Sequence, residues 1–455
     1  MNLAYHYPII YWNTACLIIN AGADEDSDSN KSTNYGKIAT AIADMRERGI
    51  TVSLPLINEA KFEFVPDEKN NRIIYSLKSL CGIGDDLAKV IVENQPYDSI
   101  DDFISKTGIT PSAMIQLIKA GSFTELDNPD RRVTMAKYIR NYMFSPNDKL
   151  TTANINTAEK YGIIPDNMKI YVRIKKFKDY VLDDSFLVKK VVIANKKIPK
   201  CGYHDRYFTL DEKSTPFYME NFTDEAFVGM KDEYPIFSEK RFMKEWNSKM
   251  DVLKQWLAKP ETLQTYNDAK FSELWKEKAD GTIPKWEMQS LSYYYTEHEL
   301  AHMDEEKYGV MNFFEMPEDP EPYDYYVRFI NGEKKYMPKL NITRIAGTVI
   351  DSDNNKHTVS LLTNYGVVNV KYNKGQYVFY NRQISDYLNG SDKKTVLEKS
   401  WFTRGTLLIV CGYRQDDVFR AYRYKDTVYM HTTNKIVDIN DDGTVELQLD
   451  RLQTN

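Results

Sequence analysis

Leu77-Lys78-Ser79-Leu80-Cys81-Gly82-Ile83-Gly84-Asp85-Asp86-Leu87-Ala88-Lys89-Val90-Ile91 runs from apolar residues into a Gly-x-Gly turn and out again at helical spacing, with Leu87, Ala88 and Ile91 on one face. That is the pattern of a helix-hairpin-helix. Glycines let the hairpin bend, and the amides at the second helix's N-terminus point outward, where the positive end of the helix favours a phosphate oxygen. Gly82, Ile83, Gly84 and Lys89 are the candidate backbone-binding residues. A tight turn in a packing module is the plainer alternative, and Asp85 and Asp86 would compete with a phosphate. A second, weaker copy follows from Phe103 to Gly121, with Thr110 as N-cap, Pro111 at the first helical position and Ser112 beside them.

Working outward, residues 5–20 read as a helix, 23–30 as an acidic loop, and 36–46 as a helix burying Ile38, Ile42 and Met45 before Gly49 stops it. A short strand at 50–55 completes an α/β unit. Downstream, residues 170–175 and 186–193 read as two strands of a basic ribbon presenting Arg173, Lys175, Lys176, Lys189 and Lys190. Such a ribbon could neutralise phosphates or serve as a charged sheet edge. Cys201-Gly202-Tyr203-His204 has ligand-like spacing but no second pair, so no metal site is expected. Residues 242–303 read as mostly helical, ending in an aromatic helix at 286–300 in which His298 is a structural histidine; Met316 to Pro322 reads as a linker.

The remainder alternates as strands do. Residues 343–350, 356–362 and 366–372, a helix from 374 to 397, then 406–413 and 418–424 give the order of an OB-fold barrel, which commonly holds single-stranded nucleic acid. Tyr365, Tyr372, Arg382, Arg414, Arg420, Tyr422 and Arg423 are its candidate contacts; a barrel used only for packing is the alternative.

Composition bounds the rest. The 455 residues carry 60 Lys+Arg against 66 Asp+Glu, a formal charge of −6, with 42% hydrophobic residues, which excludes wholesale disorder and fits two to four domains. No apolar run reaches the roughly 18 residues of a membrane helix, and residues 1–8 lack a basic leader, so a cytoplasmic protein that is neither secreted nor membrane-spanning is expected, with no membrane partner. Four widely spaced cysteines suit reduced thiols.

Five landmarks carry a resemblance: Tyr5-His6-Tyr7-Pro8; Met45 to Ile50 with Leu54-Pro55-Leu56-Ile57-Asn58; Leu80 to Gly84; Leu117-Ile118-Lys119-Ala120-Gly121-Ser122-Phe123; and Leu291 to His298. In that order they resemble the C-terminal half of the bacterial DNA polymerase III alpha subunit, a C-family replicative DNA polymerase, in a bacteriophage-like version. Leu56 stands where the family has Asp, and Glu299 where it has Pro. The resemblance implies an α+β multidomain chain: the C-terminal part of the polymerase fingers (1–75), a tandem helix-hairpin-helix module (76–146), a variable mixed α/β insert (147–285), a helix and linker (286–339) and an OB-fold barrel (340–455). It implies DNA as partner, both primer–template duplex and single-stranded template. The family's catalytic aspartates sit in a palm with no counterpart here. The resemblance therefore implies no catalytic residue, no metal ligand and no cofactor in this chain, with Mg²⁺ held in the palm of an assembled polymerase by a separate chain. A sliding clamp is a further implied partner, Met311-Asn312-Phe313-Phe314 being the best candidate peptide. A free-standing DNA-binding replication or repair accessory is the alternative function.

Overall fold

The computed structural model describes residues 8–22, 33–182, 187–188, 206–231, 234–320, 322–387, 394–422 and 432–451. It contains two units, one of residues 1–137 with 280–455 and one of residues 138–279. Lys189, Lys190, Arg423 and the Cys201–His204 stretch lie outside the described residues. Among the described residues no helix is long and apolar enough to cross a membrane.

The first unit opens with α1 (Ile9–Asn20) and α2 (Tyr35–Glu47). Asn34 caps α2 by accepting the Lys37 amide at 3.0 Å, and Ile38, Ile42 and Met45 are buried as their spacing requires. Gly49 ends it at φ +74°, a left-handed conformation that costs a glycine nothing. β1 (Thr51–Ser53), β2 (Val65–Asp67) and β3 (Arg72–Ile74) form a sheet of order β1-β3-β2, parallel between β1 and β3. The hairpin region supplies α3 (Asp85–Glu93), α4 (Ile100–Thr107), α5 (Pro111–Ala120) and α6 (Arg131–Tyr138). Ala88 is fully buried, and Tyr97, Phe103 and Phe123 pack edge to face behind it at about 5 Å between centroids. The side-chain amides of Asn58 and Gln95 tie this layer to the 57–60 segment between β1 and β2: Asn58 pairs with both backbone groups of Tyr97, and Gln95 donates to the Ile57 and Ala60 carbonyls.

The second unit holds α7 (Ile155–Lys160), α8 (Asp166–Val181), β4 (Leu187–Val188), β5 (Tyr207–Thr209), α9 (Ser214–Asn221), β6 (Phe227–Lys231), β7 (Tyr234–Ser238), α10 (Glu239–Leu257) and α11 (Pro260–Ala279). Its sheet is ordered β4-β5-β7-β6 over an aromatic core that includes Phe177, Phe208, Tyr218, Phe237 and Phe242. Residues 170–175, expected as a strand, are the middle of α8. Ile170, Val172 and Ile174 alternate over five residues, but the buried set continues as Ile174, Phe177 and Val181, which is helical spacing. Pro165 and Asp166 supply the helix start.

The first unit resumes with α12 (Ile283–Ser290), which packs on α5, and α13 (Glu305–Tyr308). The aromatic helix expected over 286–300 stops at Ser290. Ser292 takes φ +67°, and the Glu287 carboxylate accepts the Tyr295 and Thr296 amides, so the chain folds back as a buried irregular segment. Its tyrosines reach distant partners: Tyr294 pairs with the Thr348 hydroxyl at 2.6 Å, and Arg46 of α2 donates to the Tyr294 and Tyr295 carbonyls. His298 is structural, as expected, with Nε2 donating to the Leu362 carbonyl at 2.8 Å and Nδ1 accepting the Leu300 amide. Burial pushes its pKa down from 6.5 to about 4. The neutral ring's stabilisation is fully present above pH 6.5 and is lost as pH falls from there through about 4, because the unfolded chain takes up the proton first. We expect wild type to lose up to about 3 kcal/mol more than His298→Gln between pH 7 and pH 4.5 in urea denaturation; parallel curves would contradict this.

β8 (Pro322–Ile330) and β9 (Glu333–Leu340) then pair as a long hairpin before β10 (Thr343–Asp353), β11 (Thr358–Thr363), β12 (Gly366–Lys371), α14 (Lys374–Asn381), β13 (Ile384–Tyr387), β14 (Lys394–Glu398), β15 (Leu407–Gln415), β16 (Val418–Ala421), β17 (Thr433–Ile439) and β18 (Val445–Gln448). The pairings β10-β11-β12-β16-β15-β10 close a five-stranded barrel, antiparallel except between β12 and β16, with β17 and β18 added beside β15. The helix expected from 374 to 397 ends at Asn381 and gives way to the β13–β14 pair. Gly412 is required by close approach: a Cβ there would sit 2.1 Å from the Arg420 carbonyl oxygen.

Candidate nucleic-acid interface

The first hairpin is built around a plug. Ile83 is buried, while Gly82 and Gly84 on either side are exposed. Gly82 adopts φ +81°; Gly84, at φ −82°, is the N-cap of α3 and meets nothing within 4 Å at its Cβ position. A glycine N-cap carries no side-chain acceptor, so the first-turn amides of α3 are left for solvent or an anion. Asp85 and Asp86 project into solvent in that first turn. Lys89 is exposed, one turn along, with its ammonium 5.7 Å from the centre of the Phe62 ring and Lys78 over the same ring at 5.4 Å. Residues preceding Gly82 form turns rather than a regular helix, so only the exit side of this hairpin is helical.

The second hairpin is arranged differently. Gly108 turns at φ +59° between α4 and α5, and Thr110 accepts the Ala113 amide, capping α5 from within. Thr110 and Ser112 are exposed, but the amide end they flank is already partly occupied. Of the two turns, the first has the seat at its helix N-terminus left without a side-chain cap.

Next to that seat a polar cluster fixes the turn against the barrel. The Arg404 guanidinium donates to Cys81 Sγ at 3.1 Å and to Ser292 Oγ at 2.9 Å, and it lies 4.2 Å over the Tyr35 ring. Burial, with Cys81 close by, holds the Tyr35 hydroxyl up at about 12.

The barrel candidates do not converge on one face. Tyr372, expected to be exposed, is in the barrel core with its hydroxyl on Thr433 Oγ1 at 3.0 Å; strand alternation alone does not tell the inside of a small barrel from its outside. Tyr365 sits at the β11–β12 turn, where its hydroxyl donates to Glu305 at 2.7 Å and is raised to about 12 by that carboxylate. Arg414 holds the 313–316 segment: it donates to the Met316 carbonyl at 2.9 Å and stacks over Phe313. Tyr422 is half-buried, its carbonyl accepting from Gln376 and Thr432. Arg382 is exposed over Phe379, and Arg420 is exposed on β16 opposite Lys371 of β12. Lys371, at the end of a strand read only as β, is a cation that sequence reasoning passed over. The expected clamp peptide is half core, with Phe313 buried and Met311 and Phe314 exposed.

In the second unit, the first strand expected of the basic ribbon is a helix face whose cations are largely engaged, while the second is described only at Leu187–Val188, which is a strand. Lys176 pairs with Glu159 at 2.6 Å, Lys175 with Asp179 at 3.5 Å, and Arg173 stacks on Phe217. Among the described residues no group of three or more His, Cys, Asp or Glu is placed to hold a metal ion.

Residues 49–134 match the family model for the helix-hairpin-helix motif. Over its whole length the chain is 41% identical to two curated proteins, the probable DNA polymerase YorL of Bacillus subtilis (strain 168) and the DNA-directed DNA polymerase of Bacillus phage SPbeta. The alignments cover 100% of this chain and 34% of each relative, so the chain spans about a third of their length. The resemblance to a DNA polymerase thus extends beyond the five landmarks to the entire sequence.

Proposed function

We propose that this chain is the DNA-gripping portion of a replicative polymerase of the DNA polymerase III alpha type. In this reading the first hairpin docks on a phosphate of the primer–template duplex, the barrel is an OB-fold guiding single-stranded template, and a palm on a separate polypeptide supplies the catalytic aspartates and Mg²⁺. The observation that carries it is the 41% identity to DNA polymerases over the whole length of a chain with an uncapped hairpin helix. The barrel's strand circuit, with a helix between its third and fourth strands, supports the OB assignment. The hairpin's part is positioning: neutral amides hold a phosphate without reading sequence. Sliding-clamp docking through Met311 and Phe314 belongs to the same reading.

A second feature favours a palm-bearing partner over a free-standing accessory. α1, Ile-Ile-Tyr-Trp-Asn-Thr-Ala-Cys-Leu-Ile-Ile-Asn, is apolar nearly all round, and such helices are normally buried on every side. Here Ile10 and Leu17 face the core while Ile9, Trp12 and Ile19 are exposed, Trp12 at 53%. We expect Trp12→Glu with Ile19→Glu to abolish copurification with a palm-bearing polypeptide while leaving thermal unfolding of the chain unchanged. Retained copurification would remove the argument from α1. Equilibrium binding of labelled primer–template DNA by the purified chain tests the grip itself; no binding at low salt would refute it.

A further inference from the structure

We infer that the β8–β9 hairpin is a stacking finger for single-stranded DNA, a contact that rests on the polymerase reading above and extends it to a new element. The sequence places Asn331-Gly332 at its tip, and both residues take positive φ (+52° and +83°), the two-residue turn that matches strand twist. The register pairs Tyr325 with Pro338, Val327 with Tyr336 and Phe329 with Lys334, so these six residues share one face. Among the described residues nothing covers that face: Tyr325 is 56% exposed, Tyr336 65% and Phe329 71%. An isolated two-stranded ribbon is marginal in water, and a row of exposed aromatics on one adds to that cost unless a ligand covers it.

Two observations select single-stranded nucleic acid as the occupant. The first is charge. Residues 322–340 carry four Lys/Arg against two Asp/Glu in a chain that is acidic overall. Lys339 pairs with Asp324, whereas among the described residues Arg328, Lys334 and Lys335 form no ion pair; Lys334 lies 5.3 Å over the Tyr336 ring. Lys334 stands in the row of rings, and Arg328 and Lys335 face each other on the opposite side of the ribbon; an apolar protein partner would not call for these cations, while a phosphate backbone does. The second is spacing. Same-face residues on a strand recur about every 6.8 Å, which is about twice the 3.4 Å step between stacked bases on one strand. A base therefore fits between successive side chains of the row, and because every base has a π-face the contact is independent of sequence.

The test is binding of labelled oligo-dT and of blunt duplex DNA by the full chain, wild type against Tyr325→Ala/Phe329→Ala/Tyr336→Ala, with Lys334→Ala/Lys335→Ala in parallel. The expected result is roughly a tenfold or greater loss of oligo-dT affinity in the triple variant, unchanged duplex binding, and a shallower salt dependence in the lysine pair. Photocross-linking of an oligo-dT carrying 5-iodouracil to wild type, read by peptide mapping, should label residues 322–340 and does not depend on the variants folding. Oligo-dT binding equal to wild type in the triple variant, cross-links confined elsewhere, or variants that instead lose a protein partner or self-association would each overturn the finger. A wild-type chain that binds neither DNA would refute the polymerase reading itself, a distinct failure.

Discussion

Gly84→Asp is expected to make the chain slightly more stable and a much poorer DNA binder. Gly84 has φ −82° and open space at its Cβ position, so an aspartate fits without strain. As N-cap of α3 its carboxylate would accept the first-turn amides, adding a few tenths of a kcal/mol to stability. The same carboxylate would occupy the seat assigned to a phosphate oxygen and repel the rest of the backbone. We expect duplex affinity to fall about tenfold, or about 1.4 kcal/mol, with Gly84→Ser falling less because it caps without charge. The reciprocal change, Asp85→Asn with Asp86→Asn, should tighten binding. Fluorescence anisotropy at fixed salt reads all three; a Gly84→Asp chain that binds like wild type would show that no phosphate reaches this turn.

Glu287→Ala should give the largest loss of stability. Glu287 is buried and pairs with buried Arg131 at 2.9 Å, while its second oxygen accepts the Tyr295 and Thr296 amides and the Thr296 hydroxyl. Arg131 also donates to the Lys119 carbonyl at the end of α5. Removing the carboxylate leaves the buried guanidinium without its counter-charge and takes the acceptor from the Tyr295 and Thr296 donors, a loss of about 3–5 kcal/mol. Because the pair joins α6 to α12 and the folded-back segment toward the barrel, hairpin and barrel should unfold together in wild type. Arg131→Met with Glu287→Leu should cost much less than either single change, since no orphan charge remains. Urea denaturation followed at the tyrosines measures this; a single-variant cost under about 1 kcal/mol would mean the pair is not a structural pivot.

Where the sequence was legible, one local rule decided the outcome. Ile38, Ile42 and Met45 mark a helix face, Gly-x-Gly marks a hairpin, and the alternation from residue 343 onward marks a barrel, because each needs only neighbours within a few residues. Where it was not, a distant partner decided. The 286–300 run has the composition of a helix, but Glu287 takes the amides of residues 295 and 296 and Thr348 takes the Tyr294 hydroxyl, so the helix ends early. Tyr372 turns inward because Thr433, 61 residues away, satisfies its hydroxyl. The basic segment at 170–175 fails for a different reason, a window too short to separate two periods. The β8–β9 finger was legible and passed over: Asn331-Gly332 between alternating residues is a strong hairpin signal, hidden by reading the flanking prolines as a linker.

In the proposed reading this chain grips DNA while the acidic metal cage of a polymerase lies on a separate polypeptide. Primer extension on a primed single-stranded template, with this chain alone, with a palm-bearing polypeptide copurified from the native source, and with both, tests it most directly. No extension is expected from this chain alone, and longer products when it joins the palm-bearing polypeptide. Chelator-sensitive deoxynucleotide incorporation by the purified chain on its own would contradict it.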